Sequence, residues 1–387
     1  MSPRRRDYDE SDVRIRPGRR GSRPRTKERP SHEDAVTGLV TAVDRGRYTV
    51  LVDGTVVTAM KARELGRTSV VVGDRAALVG DTSGEPGTLA RIVRTEPRSS
   101  VLRRTADDTD PVERVIVANA DQLVVVTAVA DPEPRPRLID RCLVAAYDAG
   151  MDPLLVITKA DLVDPAEFLE RYAPLEVPHV VTAMVPAARV TGGGATKDDP
   201  ATSPGRALSG LEAVHDHLRG RLSVLVGHSG VGKSTLVNAL VPEARRATGA
   251  VNDVTGRGRH TSTSAVALRL PSAGAARGNS GDVAGAARGN SGDVAGAARG
   301  NSGDGGWVVD TPGVRSFGLA HVDPGRIIHH FPDLEPGTAG CPRGCTHDEP
   351  ECALDAWVAE GHAGPAGPSR LESLRRLLES RTPQAGD

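Results

Sequence analysis

The stretch Leu222-Ser223-Val224-Leu225-Val226-Gly227-His228-Ser229-Gly230-Val231-Gly232-Lys233-Ser234 decides the fold. Its first five residues predict a buried strand. The next eight fit the spacing G-x-x-x-x-G-K-[ST], and STLVNAL over Ser234–Leu240 has the apolar spacing of an amphipathic helix. Strand, glycine loop and helix in that order form a phosphate cradle. Glycines let backbone N–H groups approach the phosphates with no Cβ in the way, and the helix N-terminus adds favourable partial charge. The whole run from Gly227 to Thr235, with His228, Ser229, Gly230, Val231 and Gly232, is therefore expected to line a nucleotide phosphate tail. Lys233 reaches its β and γ phosphates and Ser234 holds magnesium.

Two further strings read with it. Asp310-Thr311-Pro312-Gly313 follows the apolar strand Trp307–Val309 and suits a D-x-x-G element, with Asp310 near magnesium and the Gly313 N–H near the γ-phosphate. Thr158-Lys159-Ala160-Asp161 follows the apolar strand Pro153–Ile157 and resembles the guanine-reading N-K-x-D motif. A carboxylate at Asp161 matches guanine N1 and N2, a pairing adenine lacks. Lys159 is expected to lie along base and ribose. Thr182-Ala183, after strand His179–Val181, resembles the S-A element beside the guanine carbonyl. Each string alone is common; their joint position at the C-terminal ends of predicted strands is informative, because open α/β sheets bind ligands there. Their order is unusual, since the guanine motif precedes the phosphate loop.

Three of the four cysteines fall with a histidine in Cys341-x3-Cys345-x-His347-x4-Cys352. Three thiolates and an imidazole form a closed tetrahedral zinc set, which favours a structural over a catalytic ion. Cys142, in the helix-like run Leu138–Ala146, reads as an inert core thiol. Beyond the metal set, Ser369 and Glu372 fit a capping box. Leu371, Leu374, Leu377 and Leu378 then make one apolar face, with Arg370, Arg375 and Arg376 on others.

Upstream, five short strands (Ala35–Val43, Tyr48–Val52, Thr55–Met60, Arg75–Val79 and Thr88–Val93) with turn signals such as Asp53-Gly54 predict a small OB-like barrel. Before it, residues 1–31 hold eleven Lys and Arg against five acids, a charge of +6 that the rest of the chain offsets to an overall −1. Lacking periodic apolar residues, this tail reads as disordered, either a solvated solubility element or an electrostatic arm for nucleic acid. Residues 185–206 read as a Gly/Pro/Thr-rich loop. The eleven-residue unit AGAARGNSGDV, started at Ala273, Ala284 and Ala295, reads as a flexible insert at the tip of a hairpin between Ser264–Leu270 and Trp307–Asp310. Aromatics are only 2% of the 387 residues, so any hold on RNA is expected to use charge and shape more than base stacking. No apolar run of membrane-spanning length and no secretory leader are read, so a cytoplasmic, reduced protein is expected.

The ordered set of motifs resembles the ribosome small-subunit-dependent GTPase A (RsgA/YjeQ) family of circularly permuted GTPases. Besides the elements above, the resemblance rests on Ala118-Asn119-Ala120-Asp121-Gln122, Gly258-Arg259-His260-Thr261-Ser262-Thr263 and Pro312-Gly313-Val314-Arg315-Ser316-Phe317-Gly318-Leu319. Thr158 stands where the family motif has Asn, and His228 where Gln is common. The cysteine spacings are slightly shorter than the family's. Val314 takes the position where Ras-like enzymes orient water with Gln, so hydrolysis is expected to be slow without a partner. The resemblance points to His260, in the Gly258–Thr263 segment, as the catalytic group; Thr261 is the first choice for the switch hydroxyl on magnesium and Thr263 the second.

The expected architecture is a multidomain chain. An all-β OB-like barrel over 34–98 follows the tail (1–33). A circularly permuted α/β P-loop GTPase domain spans 110–322, with its insert at 273–306, and a small α-helical zinc-binding domain spans 323–380. The resemblance implies GTP/GDP, Mg2+ and one structural Zn2+, a monomer, and the small ribosomal subunit with its rRNA as partner, bound late in its maturation. The rival readings are another P-loop NTPase or kinase, which Asp161 tests, and a nonenzymatic zinc/OB RNA-binding protein, which Lys233 tests.

Overall fold

The computed structural model describes residues 32–66, 68–105, 113–186, 206–242, 265–271, 305–311, 319 and 322–381. The first five strands are β1 (Val36–Asp44), β2 (Arg47–Val52), β3 (Thr55–Lys61), β4 (Arg75–Gly80) and β5 (Ala90–Thr95). They pair in the order β1-β2-β3-β5-β4, and β4 returns to β1, closing a barrel. All its pairs are antiparallel except β3 with β5, where Ala59 faces Ala90. The β2–β3 turn is Asp53-Gly54, both at positive φ (47° and 84°), the backbone that a two-residue hairpin of this twist requires. Alternate residues Tyr48, Val50 and Val52 point inward and fill the barrel with Val57, Leu78 and Ile92.

An antiparallel hairpin, β6 (Val101–Thr105) with β7 (Glu113–Ala118), leads to the α/β part. There follow β8 (Gln122–Ala128), α1 (Pro136–Asp148), β9 (Asp152–Thr158), α2 (Ala166–Tyr172) and β10 (His179–Val181). Next come β11 (Met184–Pro186), β12 (Arg206–Leu208), α3 (Leu211–Leu218), β13 (Leu222–Val226), α4 (Lys233–Leu240), β14 (Val266–Arg269) and β15 (Trp307–Asp310). The sheet runs β10-β9-β8-β13-β15-β14; its first five strands are parallel and β14 is antiparallel. Strands buried on both faces read as near-continuous apolar runs, as in the wholly buried β8 and β13, where Gln122, Thr127 and Ser223 are the polar exceptions. The β14–β15 pairing forms the expected hairpin, and β14 continues the sheet into the barrel through Ala42 opposite Val266. The repeat insert lies outside the described residues, as do the basic tail and most of the 185–206 loop.

Three helices close the chain: α5 (Pro324–Ile328), α6 (Ala353–Ala359) and α7 (Gly367–Glu379). The expected capping box is corrected here. Helix α7 starts at Gly367 with Pro368 in its first turn, so Ser369 lies inside it and its hydroxyl donates to Ala366 O (2.9 Å). Pro, lacking an N–H, opens a helix at no hydrogen-bonding cost. The arginines also depart from a simple polar face. Arg370 is buried, its guanidinium donating to Asp333 (2.7 Å), Pro174 O (2.8 Å) and Glu176 (3.1 Å). Arg376 lies 3.2 Å from buried Asp140 of α1, whose carboxyl burial pushes up to about 6 although Arg376 and Arg171 oppose the shift. One core joins all parts, running from Leu39 and Val72 through Leu222 and Val224 to Leu371 and Leu374.

The barrel meets the sheet at Gly73, whose φ is +89° and where a Cβ would lie 1.9 Å from Ala118 O. Gly73→Ala is therefore expected to cost about 3 kcal/mol or more. Thermal denaturation checks this, and an unchanged Tm would show that the junction yields.

Candidate functional site

Strand β13 sits between β8 and β15, so its C-terminal end opens at the centre of the parallel sheet. The chain turns there into α4. A Cβ on Gly227 would lie 2.5 Å from Val126 O, and Gly230 and Gly232 take φ +87° and +89°, so the loop needs its glycines. Gly232 caps α4, leaving the first amides of the helix, from Lys233 and Ser234 onward, without intrahelical acceptors. Val231 is buried, Ser229 and Ser234 are exposed, Thr235 is half-buried, and His228 turns Nδ1 to Ser229 O (2.9 Å). The Lys233 ammonium pairs with the Asp310 carboxylate at the end of β15. Buried Thr311 donates to Leu225 O (2.7 Å), tying the D-x-x-G strand to the phosphate-loop strand.

Because β9 is parallel to its neighbours, its C-terminal end reaches the same edge. Buried Thr158 donates its hydroxyl proton to Val231 O at 2.6 Å, with Thr127 O also 3.2 Å away. The hydroxyl has one proton, and the phosphate loop takes it. Thr158 thus binds two motifs 73 residues apart. Lys159, at φ +61°, reaches the carbonyl of Asp131, and Pro132 lies against Gly230. Ala160 N–H donates to Thr182 O (3.2 Å), and Asp161 accepts from Met184 N–H (3.0 Å). Thr182 is fully buried and bonded to Ile157 O through N–H and hydroxyl. Ala183 N–H is taken by the Ser209 hydroxyl (3.2 Å), and Ser209 N–H returns to Ala183 O (2.9 Å).

The structure thus brings Gly227–Thr235, Asp310, Thr158–Asp161 and Thr182–Ala183 to one sheet edge. Gly313, His260 and Thr261 lie outside the described residues. Ser209, Asp131 and Pro132 have no motif signal: each acts through backbone groups distant in sequence.

The second site is in the C-terminal segment. Donor atoms of Cys341, Cys345, His347 and Cys352 all lie within 4.8 Å of one another. Cys341 Sγ is 3.7 Å from His347 Nδ1 and 3.9 Å from Cys352 Sγ, and Cys352 Sγ is 3.9 Å from His347 Nδ1. Tetrahedral ligation with Zn–S bonds of 2.3 Å separates donors by about 3.8 Å, so three of the four already stand at ligating distance. Burial pushes the Cys345 and Cys352 thiols up and the His347 imidazole down, and a bound cation would favour the thiolates and the neutral imidazole. Glu349 stands behind Cys345 (3.2 Å), and hydrogen bonds from Thr346 hold its carboxyl down to about 2. Arg375 of α7 donates to His347 O (2.8 Å) and bridges to Asp355, so the last helix supports the loop. Cys142 stays apart, fully buried, its thiol pushed up to about 12.

A parallel sheet that carries a phosphate loop on its central strand, with the guanine-type motif two strands away and earlier in the chain, defines a circularly permuted P-loop GTPase. Comparisons agree. The RsgA GTPase family model matches residues 95–190 and 201–277. Small ribosomal subunit biogenesis GTPase RsgA of Gemmatimonas aurantiaca is 33% identical over 322 residues, covering 83% of this chain and 87% of that protein. RsgA 1 of Vibrio vulnificus is 31% identical over 353 residues, covering 90% and 79%. In fold, the chain is similar to YjeQ from Thermotoga maritima (TM-score 0.56, 24% identity, 90% of this chain and 98% of that one). It is also similar to YloQ, a circularly permuted GTPase (TM-score 0.53, 19% identity, 92% and 99%). The chain belongs to the RsgA GTPase family.

Thr158→Val keeps the shape but strands a buried carbonyl, a loss of about 1–3 kcal/mol. GDP and GTP binding are expected to weaken about tenfold or more, while Thr158→Ser stays near the parent. Fluorescent-nucleotide titration measures both, and a Val variant with full affinity would refute this role.

Proposed function

We propose that this chain is a GTP hydrolase that binds the small ribosomal subunit, assists its late maturation and is stimulated by it. The carrying observation is the Thr158–Val231 hydrogen bond, which sets a guanine-type motif against a phosphate loop on one sheet edge. The relatives named for small-subunit biogenesis supply the partner. Gly227–Thr235 hold the phosphates and Asp161 selects guanine. Lys159 and the Thr182–Ala183 element border the base. Ser234, with Thr261, would hold Mg2+, which would neutralise phosphate charge. Asp310 and Lys233, paired here, would part as nucleotide binds, the lysine to phosphate and the carboxylate toward the ion.

Hydrolysis alone is slow in this reading, on the order of 10⁻⁴ s⁻¹ for an unassisted GTPase. Val314 has no group to orient water; His260 is assigned that task, completed on the subunit. Support for an OB-type barrel comes from its strand order, with β3 and β5 parallel. Barrel and +6 arm would grip rRNA through phosphates. Cys341, Cys345, His347 and Cys352 would hold one structural Zn2+, since a closed four-ligand set leaves no open position. No helix among the described residues is long and apolar enough to cross a membrane. A cytoplasmic monomer fits this reading.

GTP turnover with and without purified small subunits tests the reading. The expected result is a low rate alone and a marked rise with subunits; a flat response would overturn it. Asp161→Asn should move preference toward xanthine nucleotides, and Lys233→Ala should abolish turnover. If guanine preference survives the first, Asp161 is not the group that reads guanine. If subunit behaviour and turnover survive the second, the loop is vestigial.

For the metal, elemental analysis should find one zinc per chain. Cys352→Ser should lose it and lower Tm; a metal-free chain with the same Tm would remove the structural role.

A further inference from the structure

The string Ala118-Asn119-Ala120-Asp121-Gln122 has no part in nucleotide chemistry, yet it joins the barrel to the strands that carry that chemistry. Asn119 adopts φ +55° and its side chain faces two ways. Nδ2 donates to Gly73 O (2.9 Å), in the loop before β4 of the barrel. Oδ1 accepts from Ser99 N–H (2.8 Å) in the connecting segment. On either side, Ala118 N–H donates to Val72 O (3.0 Å), and Asn119 N–H to Ser100 O (2.9 Å). The barrel loop is itself rigid. Gly73 N–H donates to Val40 O (2.9 Å), and fully buried Asp74 accepts a two-pronged grip from Arg98 at 2.7 and 2.8 Å.

Two residues on, Asp121 grips the sheet. Its N–H donates to Leu222 O (2.9 Å), Oδ2 accepts from Leu222 N–H (2.7 Å), and its carbonyl accepts from Asp152 N–H (3.0 Å). Leu222 and Asp152 are the first residues of β13 and β9. Those strands end in the phosphate loop and in Thr158. Five residues of strand span about 17 Å, and a buried central strand moves as a unit. Val72 of the barrel shares one core with Leu222, Val224 and Val226, so no solvent layer lets the parts slide.

We propose that Asn119 is a positioning residue for the stimulated reaction: it transmits a displacement of the subunit-bound barrel through Asp121 to β13 and β9, and so to the phosphate loop. This rests on the subunit-stimulated GTPase reading above. The coupling acts between two sites through a packed element, and such couplings are worth about 5- to 150-fold.

Two variants separate coupling from folding. Asn119→Asp keeps the acceptor toward Ser99 but sets an oxygen against Gly73 O. Asn119→Gly removes both side-chain bonds and tolerates the positive φ. In both, turnover without subunits, GDP affinity and cosedimentation with subunits should match the parent, while the ratio of stimulated to basal turnover falls about tenfold. An unchanged ratio in either folded variant overturns the proposal. So does a parallel loss of basal turnover or of subunit binding, which would mark the clamp as merely structural. No stimulation in the parent chain would instead overturn the reading on which the proposal rests.

Discussion

A single hydroxyl proton holds the candidate site together. Thr158 sits at the end of β9 and spends its one donor on Val231 O inside the phosphate loop. That bond forms only because β9, β8, β13 and β15 run parallel, so every strand ends at the same edge whatever its order in the chain. Circular permutation costs such a sheet little. The connections change, but the edge presented to a nucleotide does not. Thr158 stands where the family motif has Asn, and its single donor is spent inside the protein.

The remaining modules are fixed to that edge from behind and below. The closing helix α7 turns two arginines toward the α/β part, buried Arg370 to Pro174 O and Glu176, and half-buried Arg376 to Asp140. A buried charge without a partner costs several kcal/mol, so buried Arg370 ties the C-terminal segment to the turn after α2, and buried Asp140 of α1 ties it through Arg376. Arg375 then reaches the opposite way to His347 O, linking the ligand loop to the same helix. The C-terminal segment is therefore oriented by charge as much as by its leucines.

Much of this was legible in the sequence because it rests on local patterns. The barrel strands follow alternation and turn residues. Parallel strands of the sheet follow from apolar runs such as LSVLV over Leu222–Val226, and the cysteine cluster from spacing alone. Long-range polar bonds left no local trace. Ser209, which holds Ala183, lies in no motif. Asn119 and Asp121 sat in a quotable string, but their partners are backbone groups of Gly73, Ser99, Leu222 and Asp152. The capping box failed for a related reason: Ser369 and Glu372 had the right spacing, yet Pro368 is a stronger helix opener and starts the helix before them.

The β14–β15 hairpin has a consequence beyond the site. Its strands are closed by the bond from Leu270 N–H to Gly306 O (3.0 Å), at the end opposite Asp310. The strand ends at Leu270 and Gly305 thus lie at the end of the hairpin opposite Asp310, and the closure entropy of chain added between them grows only logarithmically, by about 0.6 kcal/mol per doubling. A duplicated eleven-residue unit at that place meets almost no selection from folding. Added chain costs the fold least there, and the same position offers a permissive socket for a reporter domain.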